Sequence, residues 1–148
     1  MKKVKLILMA LLPIIIGYLF INIFFIPWLM YTVPFLVMGY WFWVGGKFAE
    51  NVKSPLKATL YANFIGTIAF VLYYYQFVIT ADKDRNLTLA VFFQLFTAPL
   101  GIITAKIALI FQRNPNEVTP VTFFAIQALG LILMMLVFFS GYVYKKKR

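Results

Sequence analysis

The sequence predicts an all-α protein, a polytopic bundle of transmembrane helices, on three observations. Hydrophobic residues make up 64% of the 148 positions and the mean hydropathy is +0.90, whereas soluble domains are about 45–50% apolar. A chain this small cannot bury so much apolar surface in a fold that faces water, because surface dominates at this size. The apolar residues also form runs of membrane length separated by short polar turns. Finally, the cations, 14 Lys and Arg against 4 Asp and Glu, sit in blocks at the ends of those runs: Lys2, Lys3 and Lys5; Lys47, Lys53 and Lys57; Lys145 to Arg148. Such flanks suit anionic headgroups. A nucleic-acid partner would need a continuous basic face, and the blocks do not make one.

The expected domain is single, 1–148, with segments at about 6–26, 34–48, 55–80, 87–111 and 120–144. The first begins as a signal peptide would, but its apolar stretch exceeds the about 7–15 residues of such a region, and no small-x-small cleavage site follows. It reads as a retained span. The apolar stretch from Leu6 to Val44 is about 60 Å of helix at 1.5 Å per residue, twice a bilayer core of about 30 Å. It should therefore turn once, and Pro27 and Pro34 bracket the expected turn, "PWLMYTVP", making the first two segments a tight hairpin. Pro55 and Pro120 open the third and fifth helices, where a missing N–H costs little. "ADKDRN" and "QRNPNEVT" are the polar turns between the later helices.

Length favours five crossings, which put eight Lys and Arg on the N-terminal side and six on the other. Four crossings, with 34–48 held back, put nine on the side of both termini and five opposite, and the positive-inside rule favours that split.

Projected at 100° per residue, the fourth helix gathers Ala90, Gln94, Thr97, Gly101, Thr104, Ala105 and Ala108 into a sector about 100° wide. The third helix carries a small-residue stripe, Ala58, Ala62 and Gly66, with Gln76 in the same sector and Asn63 beside it. The fifth offers Gln127, Gly130, Met134 and Gly141. In lipid, small residues let helices approach and amides bond across the gap. Asn63, Gln76, Gln94, Thr97 and Gln127 are accordingly the candidate polar contacts, either interhelical or lining a midplane cavity. Pro99 should kink the fourth helix and strip the Leu95 carbonyl of its donor, with Thr97 or a neighbouring helix as replacement and Gly101 giving room at the bend. Lys106 lies within snorkelling reach of the headgroups and is a candidate contact for lipid or an anion.

The chain has no histidine and no cysteine. Ser–His proteases, His-based zinc sites and thiol redox chemistry are thereby excluded. The four acids, Glu50, Asp82, Asp84 and Glu117, fall in predicted loops, so no carboxylate pair sits within a span. No metal site, cofactor or enzymatic activity is expected. The expectation is a small non-enzymatic protein of the plasma membrane acting through helix–helix contacts, as an accessory subunit, an immunity protein or a regulator. Its partners would be the bilayer and another membrane protein or a second copy. The alternatives are a small-molecule facilitator or binding subunit with a polar midplane cavity and, third, a holin-like pore former.

Overall fold

A computed structural model describes residues 2–22, 26–110 and 119–148, except the side chains of Lys2, Lys3 and Asp82. The described chain is helical and contains no strand. Its helices are α1 (Lys2–Asn22), α2 (Pro27–Ala49), α3 (Pro55–Tyr74, continued by a π turn Tyr75–Ile79), α4 (Leu87–Gln94), α5 (Gly101–Ile110) and α6 (Pro120–Lys147). α1, α2, α3 with its π turn, and α6 are each long and apolar enough to cross a membrane. The segment 87–110 is broken, and its halves meet at 78°.

Local chemistry sets most starts. The Ser54 hydroxyl accepts from Lys57 N, and Pro55 takes the first turn of α3. The Asn86 side chain accepts from Leu89 N at 3.1 Å and caps α4. Thr119 and Thr122 cap α6 reciprocally ahead of Pro120. Each cap satisfies an N–H that the helix itself cannot.

The start of α2 differs from the sequence reading. "PWLMYTVP" is helix rather than turn, and the second segment spans 27–49 rather than 34–48. Pro27 occupies the first turn, and Pro34 is buried inside the helix. The link from α1 lies at residues 23–25, outside the described residues.

Two interior prolines remove donors, from the carbonyls of Met9 (by Pro13) and Met30 (by Pro34). The Met9 carbonyl has a substitute, because the Tyr40 hydroxyl on α2 donates to it at 2.9 Å. This bond ties α1 to α2 where α1 is short of a donor.

α2 and α6 form the most extensive interface. They cross through two glycines. A Cβ at Gly45 would overlap the Phe138 carbonyl, and one at Gly141 would overlap the Phe42 carbonyl. Trp41, wholly buried, packs beside them with its ring centroid 5.7 Å from those of Phe96 and Phe138.

Contacts at the two ends fix the relative run of the helices. At one end Glu50, just after α2, pairs with Lys145 of α6 at 3.4 Å. There the Tyr142 hydroxyl also donates to the carbonyls of Val52 and Lys53, at 2.6 and 2.8 Å. At the other end the rings of Phe77 and Phe123 lie 5.9 Å apart, joining the end of α3 to the start of α6. At that same end the Lys106 ammonium of α5 sits over the ring of Tyr31, early in α2, at 4.7 Å. The Gln76 side chain there accepts from Asn86 N at 3.1 Å, which holds the start of α4 beside the end of α3. α4 therefore leaves this end of the bundle, and α5 heads back to it.

Candidate functional site

The break between α4 and α5 is where the sequence-derived candidates and the buried polar groups coincide. Pro99 has no N–H to offer the Leu95 carbonyl, so the helix cannot continue through residues 95–99 unstrained. The backbone tightens instead: Thr97 N bonds the Gln94 carbonyl at 3.0 Å and Leu100 N the Thr97 carbonyl at 2.9 Å. A 3₁₀ turn, Ala98–Leu100, then leads into α5.

Three successive residues of the break each face a glycine on a different helix. A Cβ at Gly17 of α1 would overlap the Leu95 carbonyl. One at Gly66 of α3 would overlap the Phe96 ring, and one at Gly130 of α6 would come within 2.9 Å of Thr97 Cβ. Irregular backbone at this depth in an apolar bundle is tolerated where protein covers it. Here the cover is a cradle made by three absent side chains. Phe96 passes over Gly66 into the core and meets Trp41 edge-on, at 82°. Leu95, Phe96, Thr97, Pro99 and Leu100 are all buried.

Of the five predicted polar contacts, the structure brings two together side chain to side chain. The Thr97 hydroxyl is hydrogen-bonded to Gln127 Oε1 and also lies 3.2 Å from the Gln94 carbonyl, one proton serving both acceptors. Gln94, half-buried, enters through that carbonyl. Asn63 is wholly buried, but its Nδ2 donates to the Thr59 carbonyl of its own helix at 2.9 Å. Gln76 closes the turn between α3 and α4. Asn63 and Gln76 thus make these bonds in separate places, and the five do not form one constellation.

One further expectation is corrected, and another is decided between its two alternatives. Gly101 does not give room for a neighbour, since a Cβ there would meet nothing within 4 Å. The room lies at Gly17, Gly66 and Gly130. The Leu95 carbonyl is not bonded by the Thr97 hydroxyl, which turns to Gln94 and Gln127, but faces the bare backbone of Gly17. A carbonyl against a glycine Cα is a weak hydrogen-bonding contact that recurs between closely packed helices. Lys106 is exposed, with its ammonium on the Tyr31 ring. Gly17, which the sequence reading passed over, had one signal: it interrupts the bulky run "PIIIGYLF".

Outside the apolar helices, Glu50 gathers cations at the end shared by α2 and α6. Lys47 and Lys145 each lie 3.4 Å from its Oε1. The hydrogen bond from Lys47, reinforced by both positive charges, outweighs desolvation and holds this carboxyl below its usual range.

Comparison with known protein families, curated proteins and solved structures finds no match.

Proposed function

We propose that this chain is an integral protein of the plasma membrane with four crossings, α1, α2, α3 and α6, and one re-entrant pair, α4 and α5. In this reading both termini are cytoplasmic. Length supports it: α4, with 8 residues, and the described part of α5, with 10, are about 12 and 15 Å long at 1.5 Å per residue, against a core of about 30 Å. Charge supports it too. The N-terminal three, the three between 47 and 57 and the tail's four make ten of the fourteen Lys and Arg at one end. Excess Lys and Arg mark the cytoplasmic side. The uncrossed segment is then 87–110, not 34–48.

Its role is non-enzymatic and rests on contacts between helices, as in an accessory, immunity or regulatory subunit beside another membrane protein. The observation that carries this reading is the seating of the break: small and polar residues of four helices are engaged in holding one another. A second reading, a small-molecule facilitator, is favoured by three wholly buried polar atoms without a hydrogen-bond partner among the described residues: Asn63 Oδ1, Trp41 Nε1 and the Tyr73 hydroxyl.

Both parts are testable. The chain has no cysteine, so Lys2→Cys and Arg148→Cys are unique labels. Both should react from the same, cytoplasmic side, and labelling from opposite sides overturns the four-crossing arrangement. In proteoliposomes the purified protein should leave the permeability to small polar solutes unchanged. A flux that Asn63→Leu abolishes would overturn the contact role in favour of the facilitator.

A further inference from the structure

At the end of the bundle that holds Glu50 and Lys145, an apolar groove of about 710 Å³ lies between α1 and α3. Its walls include Leu6 and Ala10 of α1, Tyr61 and Ile65 of α3, and Phe48 and Val52 from the end of α2 and the link beyond it. Three lysines adjoin residues that line it. Lys5 precedes Leu6 and shares a smaller cavity of about 250 Å³ with Leu6, Asn51, Lys47 and Glu50, and Asn51 also lines the groove. Lys53 follows Val52 in the chain, and Lys57 lies one turn ahead of Tyr61 on α3. Glu50, the carboxylate described at this end, is already taken by Lys47 and Lys145. Lys5, Lys53 and Lys57 are exposed and have no ion-pair partner among the described residues.

An apolar trough capped by uncompensated positive charge matches one chemistry, an anionic amphiphile with a hydrocarbon tail. Basic pockets between helices on the cytoplasmic side are suited to anionic headgroups. We infer that the groove between α1 and α3 is a binding site for an anionic phospholipid. One acyl chain lies between α1 and α3, and the phosphate lies among Lys5, Lys53 and Lys57. A partner helix in the same groove would leave those three charges without a counter-ion, which is why the lipid is the occupant argued here. The inference rests on the proposed membrane reading, with this end cytoplasmic.

The test is native mass spectrometry of the full chain released from detergent after equilibration with equal amounts of phosphatidylglycerol and phosphatidylcholine. The wild type should retain phosphatidylglycerol at least about fivefold over phosphatidylcholine, the preference that a single lysine near a headgroup can supply. The Lys5→Gln/Lys57→Gln variant should lose that preference. Lys146→Gln/Lys147→Gln, which removes equal charge away from the groove, should keep it. Ile7→Trp and Ile65→Trp start from positions 59% and 39% exposed that line the groove, so each should fill it without disturbing the core and reduce retention of both lipids. Equal retention of the two lipids by the wild type overturns the inference, as does a preference unchanged in Lys5→Gln/Lys57→Gln, or lost equally in Lys146→Gln/Lys147→Gln. Alkaline extraction of cell membranes reports separately on the membrane reading. A chain that stays in the pellet but shows no lipid preference fails only the lipid site.

Discussion

The backbone of Gly17 on α1 lies against the backbone carbonyl of Leu95, with no side chain between them. The same arrangement, glycine against a residue of the break, recurs at Gly66 with Phe96 and at Gly130 with Thr97. Overpacking a tight site costs about 1–3 kcal/mol. Gly17→Ala should reach or exceed the top of that range, because a backbone carbonyl cannot swing aside. Gly66→Ala should cost less, since the Phe96 ring can shift, and Gly130→Ala should cost less because its overlap, 2.9 Å from Thr97 Cβ, is slighter. Gly101→Ala, facing open space, should be neutral or should gain up to about 1 kcal/mol from helix propensity. Thermal unfolding in detergent ranks the four, and a Gly101→Ala loss as large as that of Gly17→Ala would refute the cradle.

Pro13 and Tyr40 should be energetically coupled. Tyr40→Phe removes the donor to the Met9 carbonyl and should cost about 1–3 kcal/mol, the range for a buried group left unpaired. Pro13→Ala restores an intrahelical donor to that carbonyl. In the Pro13→Ala background, the cost of Tyr40→Phe should therefore fall to well under half. A double-mutant cycle on thermal stability measures this, and strict additivity would contradict the coupling.

Thr97 and Gln127 should also be non-additive. Thr97→Val strands the Gln127 amide, and Gln127→Leu strands the Thr97 hydroxyl, although the Gln94 carbonyl remains for the latter. Thr97→Val should thus cost more than Gln127→Leu, by up to about 1–2 kcal/mol, the scale of interhelical polar bonds in apolar surroundings. The double variant should be less destabilised than the sum of the two. Unfolding by a graded denaturing detergent resolves the order.

Glu50 carries a pH signature with a definite sign. Its folded carboxyl is held below its usual range by Lys47 and Lys145, so its contribution is fully present above the unfolded value, about 4.3 for glutamate. The contribution is lost as pH falls through the lowered folded value. The difference in melting temperature between wild type and Glu50→Gln should be constant from pH 8 to pH 5 and should shrink below about pH 4. Because the pair is exposed, the difference should be small and should diminish in high salt.

Pro99→Ala separates the proline from its surroundings. Leu95, Phe96 and Thr97 are seated on three helices, so the segment should stay bent when the N–H is restored. The pair Tyr31→Cys with Lys106→Cys should be joined by a bifunctional thiol reagent that spans the missing side chains, with or without Pro99→Ala. Loss of the crosslink in Pro99→Ala would mean that the proline alone makes the bend.

The helical class and the starts of α3, α4 and α6 were legible because they depend on local chemistry: composition, a capping side chain, a proline at the first turn. The start of α2 was not. Pro27 and Pro34 look alike in a sequence, yet one opens the helix and the other is buried within it, a difference that packing decides. Pro99 was legible as an interruption, but the 78° bend was not. A continuous apolar run of this length reads the same whether its helix is straight or broken at the middle. The pairing of Thr97 with Gln127 could be named from helical faces, since each falls in a polar sector. Gly17 could not, because its purpose is set by a carbonyl 78 positions away in the chain.

Synthesis runs from the N-terminal side to the C-terminal side, so Gly17 and Gly66 already exist when Leu95 and Phe96 are made. Gln127 comes 30 residues after Thr97, and Gly130 three later still. α4, with 8 residues, is about 12 Å long at 1.5 Å per residue and leans on its neighbours rather than standing alone. Until α6 arrives, the segment 87–110 is an apolar stretch with only part of its seat, the kind of exposed intermediate that aggregates. The interval between the emergence of Thr97 and that of Gly130 is thus the one in which the segment 87–110 is least covered by its own chain.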